Sequence, residues 1–183
     1  MILGLFGKNK REKALSEQQY GYLTSAARDP EFYRQANVPD TVMGRFEMLS
    51  AILILYFRAA GRTNDAARAV AQNIVESFFE DLDHSMRELG IGDHGVPKRM
   101  KKMASMFYGR IDSYGKALDD RDEKALAAAL KRNFHPEIED PTLSMSVLAH
   151  YMLQTEASLS DVASTVLEEG ALRMPTLERR EET

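Results

Sequence analysis

Cysteine is absent from the 183 residues. That excludes a disulfide framework, Cys-ligated zinc, iron–sulfur clusters and thiol catalysis, and it fits a reducing compartment. Proline and glycine are scarce, at six and eleven residues. The abundance of Ala, Leu, Met, Glu, Lys and Arg favours helices over strands. No apolar run is long enough to span a bilayer, which takes about 20 residues. The densest, MLSAILILYF over 48–57, is bracketed by Glu47 and Arg58 and reads as a buried core helix. A Gly-rich phosphate loop, a dinucleotide fingerprint and a Ser nucleophile elbow are all missing. An excess of positive charge is missing too: the net charge is −4, which argues against a general DNA or RNA binder.

What remains is an ordinary globular balance, 44% apolar and 28% charged, at a length that favours one domain. The chain starts MILGLFG and continues KNKREK. This order is the reverse of a secretory signal, and the apolar part is too short for one. Leu3, Leu5 and Phe6 suit a lipid interface, with Lys8, Lys10 and Arg11 over anionic headgroups. Residues 1–15 are therefore expected to touch a membrane surface, 16–172 to form the helical domain, and 173–183 to be a flexible tail. Ser16 reads as the cap of a first helix, and Asp29-Pro30 as the start of a short second one. Asp40 is expected to cap a long helix ending at Gly61, and Thr63 or Asn64 a helix to Leu89. Asp122, Asp140 and Ser160 mark three more starts. The expectation is an all-α, single-domain helical bundle of about seven to eight helices.

Two neighbouring helices differ in charge. Residues 65–88 carry a net −4, and residues 93–116 a net +4. The second has the clearest apolar stripe in the chain: Val96, Met100, Met103, Phe107, Ile111, Tyr114 and Leu118 recur at spacings of four and three. Phe46, Leu53, Phe78, Leu82, Phe107 and Ile111 are expected to meet in one core. Lys98, Arg99, Lys101 and Lys102 fall away from the stripe, and Met106 lies beside it as a candidate surface methionine. Phe107 and Tyr108 follow the basic residues instead of interleaving with them, unlike a nucleic-acid surface. Asp93 and His94, between glycines, read as a turn and cap, since no nucleophile accompanies them. Glu80, Asp81, His84 and Glu88 share a helical face, and Asp81-x-x-His84 has the spacing of half a di-metal carboxylate site, but there is no second copy. No catalytic residue, metal or cofactor is expected.

The stretch FFEDLDHSMRELGIGDHGVPKRMKKMASMFYGRIDSYGKAL, 78–118, resembles the ubiquinol–cytochrome c chaperone family, as does VPDTVMGRFEML at 38–49. The resemblance implies a non-enzymatic, all-helical factor that binds newly made cytochrome b and supports assembly of ubiquinol–cytochrome c reductase. A version without a presequence is expected to be bacterial, of alphaproteobacterial type, working in the cytoplasm as a peripheral protein on the inner face of the inner membrane. A small partner protein and a ribosome contact belong to the mitochondrial members and are left open. On this reading the partner surface comprises Asp93, Lys98, Arg99, Lys101, Lys102, Met106, Tyr108 and Arg110. Two other classes stay open at this point: an interfacial lipid-binding protein, and a helical di-metal enzyme.

Overall fold

The computed structural model describes residues 2–88, 90, 92 and 94–178, with side-chain surroundings from residue 11 onward. Eight helices follow one another among the described residues: α1 (Ile2–Ala27), α2 (Pro30–Gln35), α3 (Val42–Gly61), α4 (Asp65–Glu88), α5 (Val96–Asp119), α6 (Glu123–Phe134), α7 (Ser146–Leu159) and α8 (Ser164–Glu168). The all-helical expectation holds.

The apolar run at 48–57 becomes the axis of the bundle. Residues 51–56 of α3 are all buried, because α1, α4, α5, α6 and α7 each pack against that helix. No helix among the described residues is long and apolar enough to cross a membrane. Aromatic rings fill the junction of α3, α4 and α5. The Phe107 centroid lies 5.1 Å from Phe78, 6.0 Å from Phe79 and 6.3 Å from Phe57. Of the six expected core residues, Phe46, Leu53, Phe78 and Phe107 are buried, while Leu82 and Ile111 are half-buried and pack against them.

Helix direction matters for the surfaces. The Ser16 hydroxyl faces the Val70 carbonyl, and further along both helices the Tyr20 hydroxyl meets Asp81. Hence α1 runs parallel to α4, and both run antiparallel to α3.

Several expected starts are displaced. Ser16 lies within α1, where its hydroxyl donates back to the Glu12 carbonyl at 2.8 Å. Thr41 caps α3, accepting from the Gly44 N–H at 3.0 Å, while Asp40 pairs with Arg45 instead. Asp140 closes a local turn onto Thr142, and α7 begins only at Ser146. Ser160 ends α7 instead of opening α8. Asp29, Asn64 and Asp122 cap as expected. Part of the expected flexible tail is docked. The Tyr151 hydroxyl donates to the Pro175 carbonyl at 2.9 Å, and just before the tail Gln19 exchanges two 2.9 Å bonds with the Leu172 backbone.

Candidate functional site

The α4–α5 hairpin carries most of the expected site. In the connection between the two helices Gly90 takes φ 78°, a left-handed conformation that favours glycine. Pro97 sits in the first turn of α5, where its missing N–H costs nothing. Met86 near the end of α4 and Val96 at the start of α5 are both buried. The amphipathic stripe then fixes the rotation of α5: with Phe107, Tyr114 and Leu118 buried, the lysines of its first turns must point outward.

They do. Lys98, Arg99, Lys101 and Lys102 are all exposed, and with Gly95, Ser105 and half-buried Met106 they line one shallow basic depression. Among the described residues no ion pair neutralises these four cations. Three arginines elsewhere are matched: Arg87 binds Asp83 at 2.6 Å and holds that carboxyl below its ordinary range, while Arg58 and Arg62 both converge on Glu156.

The remaining expected residues do not join this depression. Arg110, expected on the partner surface, is a correction: it is only 8% exposed and turns into the core. Its guanidinium donates to both oxygens of Glu47 on α3, at 2.8 and 2.5 Å, and to the Met106 carbonyl at 2.8 Å. Glu47 is itself 1% exposed. Burial pushes its carboxyl above the ordinary range, and the Arg110 bonds and charge pull it back. The signal for this pair was present. Arg110 lies three residues after Phe107 and four before Tyr114, within the apolar arc, and Glu47 lies in the most apolar helix. Two lone opposite charges on two buried faces are expected to pair.

Tyr108 is 56% exposed but faces the other flank of α5. There it meets Phe79, Glu76, Glu80, Asp83 and His84 of α4 in an acidic hollow. Which flank of α5 meets α4 depends on the handedness of the hairpin, which helical spacing alone does not carry. Asp93 lies outside the described residues, as do the side chains of Leu3, Leu5, Phe6, Lys8 and Lys10; Arg11 is exposed. The carboxylate–histidine group separates: Asp81 lines a groove against α1, while Glu80 and His84 face Tyr108. Among the described residues no three His, Asp or Glu side chains converge to hold a metal ion.

The fold and surface thus define an all-helical bundle with sharply segregated charge. Residues 34–174 match the ubiquinol–cytochrome c chaperone family, and the chain belongs to that family. The crystal structure of the Cbp3 homolog from Brucella abortus is similar over 97% of this chain and 98% of that one, at 46% identity and a TM-score of 0.86. Ubiquinol–cytochrome-c reductase complex assembly factor 1 of Xenopus laevis is 26% identical over 123 residues. Its counterpart in Mus musculus is 28% identical over 126 residues. The aligned regions cover 67% of this chain in both, but only 60% and 41% of the length of those relatives.

Proposed function

We propose that this chain is a non-enzymatic assembly factor for ubiquinol–cytochrome c reductase, and that it holds unassembled cytochrome b. Family membership over residues 34–174 is the observation that carries the reading. The names of the assembly-factor relatives support it further. The basic depression of α5 supplies a means. Four cations without ion-pair partners among the described residues, on a helix oriented by an aromatic core, attract an acidic protein surface and fix its register. Residues 1–13 would keep the protein at the inner face of the membrane, where a polytopic client emerges.

The test is a Lys98→Glu, Lys101→Glu, Lys102→Glu triple variant. All three side chains are exposed, and surface changes of this kind cost within about 0.5 kcal/mol each. The expected result is an unchanged thermal midpoint together with loss of cytochrome b co-purification and of mature reductase. Undiminished co-purification at normal stability removes this depression from the partner surface.

A further inference from the structure

A second concave surface lies at the same end of the bundle as the basic depression. The last turns of α1 and α4 and the first turns of α3 and α5 enclose a groove of about 240 Å³. Phe46, Leu49, Phe78, Leu82, Met86 and Met103 form its apolar lining. The apolar surface continues beyond the mouth. Val42, at the rim, is 67% exposed, and Met43 beside it is 43% exposed. Val42 precedes Phe46 and Leu49 on the same helix, so it extends the groove's apolar lining out to solvent.

Size selects the kind of occupant. Sites that enclose a small-molecule ligand run to roughly 300–1,000 Å³. This groove falls below that range, and it opens to solvent beside Val42. It accepts a few side chains projecting from one face of a helix, the arrangement by which amphipathic helices dock into grooves. Methionine at two wall positions suits a partner whose side chains vary, because an unbranched thioether repacks easily.

Charge selects the end of that helix. Arg28 and Arg45 stand on the α1 and α3 rim, and Asp81 stands on the α4 rim. Arg28 has no ion-pair partner among the described residues. Among the described residues Arg45 pairs with Asp40 alone, and both side chains are more than 60% exposed. Such a pair contributes little and exchanges readily. The apolar groove therefore carries opposite charges on its two rims, with cations on one side and a carboxylate on the other. The cations of α5 extend the positive side: Met103 faces the groove while Lys102, one residue before it, faces the basic depression.

We propose that this groove seats an apolar helical segment of the client protein, with an acidic terminus of that segment set against Arg28 and Arg45. The proposal rests on the client-holding reading above and assigns it a site and a partner chemistry. The basic depression then reads the client's charge next to the segment, and the groove reads its apolar side chains.

The probe is a synthetic amphipathic helix of Leu, Ala and Gln ending in Glu-Glu, compared with the same peptide ending in Lys-Lys. Binding to the full chain is followed by fluorescence anisotropy. The Glu-ended peptide is expected to bind at least tenfold more tightly. Val42→Asp should weaken both peptides about tenfold without moving the thermal midpoint, because Val42 contributes little to the core. Arg28→Glu should reverse the preference between the two peptides. Equal binding of the two peptides, or no effect of Val42→Asp, overturns the groove assignment. Cytochrome b co-purification with the same variants separates the two readings. Wild-type protein that recovers cytochrome b, and a Val42→Asp variant that recovers it equally, refute the groove and leave the assembly reading intact. Wild-type protein that recovers none refutes the assembly reading, and the peptide measurements then decide the groove by themselves.

Discussion

Replacing Arg110 by Met removes the charge while keeping an unbranched apolar stem of similar reach. What it leaves behind is Glu47, 1% exposed, with both carboxylate oxygens stripped of their donors. Breaking a buried pair from one side costs about 3–5 kcal/mol. At this chain length each kcal/mol moves the midpoint by about 2–4 °C, so a fall of roughly 6–20 °C is expected. The double variant Glu47→Leu, Arg110→Met removes the stranded charge and should recover most of that loss. The pH dependence gives a second signature. Burial already raises the Glu47 carboxyl, opposed by Arg110. Without Arg110 the folded-state pKa rises further above the unfolded value, which stays near the ordinary ~4.3. Between those two values the folded protein holds a proton that the unfolded chain has released, so stability falls as pH rises. Arg110→Met should therefore lose more stability at pH 8 than at pH 5. Differential scanning calorimetry at both pH values decides it. A midpoint within about 2 °C of wild type, or a larger loss at pH 5, refutes a buried charge pair at this position.

Phe107→Ala empties the centre of the ring cluster at the α3–α4–α5 junction and should cost roughly 3–5 kcal/mol by urea titration; a loss under about 0.5 kcal/mol would place the stripe at the surface. Gly44→Ala should destabilise, although Ala favours a helix interior by about 1 kcal/mol, because its Cβ would stand 1.9 Å from the Pro39 carbonyl oxygen. A net gain in midpoint would show that the loop before α3 yields freely. Deleting residues 1–13 should reduce binding to anionic vesicles in a salt-dependent way; equal binding by both forms would end the case for an N-terminal anchor.

Helix existence was legible because each segment announces its own period. The stripe on α5 and the apolar axis of α3 need no knowledge of their neighbours. Starts were less legible, since Ser16, Asp40 and Ser160 are residue types that cap helices and also bond elsewhere. Ser16 found carbonyl acceptors at Glu12 and Val70, and Asp40 found Arg45. Docking of the tail at Pro175 depends on Tyr151, 24 residues away in sequence, so composition alone suggested a loose end. The site was half legible. Helical spacing correctly sent Lys98, Lys101 and Lys102 outward. Arg110 was grouped with them by charge, although its spacing from Phe107 and Tyr114 already assigned it to the core.

The parallel course of α1 and α4 constrains how the proposed contacts share the molecule. Ser16 lies beside Val70, five residues into α4 and fourteen into α1. At 1.5 Å per residue, α1 therefore begins about 13 Å before the start of α4. The α5 depression and the apolar groove sit at the other end, by the last turns of α1 and α4. An N-terminus lying on a bilayer would thus hold the client surface away from the headgroups, by about the length of a helix. The α5 cations would meet protein there, because screening reduces their attraction to lipid beyond a Debye length of ~8–10 Å. The two surfaces should then fail independently. The Lys98→Glu, Lys101→Glu, Lys102→Glu variant should bind anionic vesicles as wild type does while losing its client. Removal of residues 1–13 should release the protein from vesicles while leaving its affinity for a solubilised client unchanged. Loss of vesicle binding in the lysine variant would mean that the bundle lies flat, with α5 on the membrane.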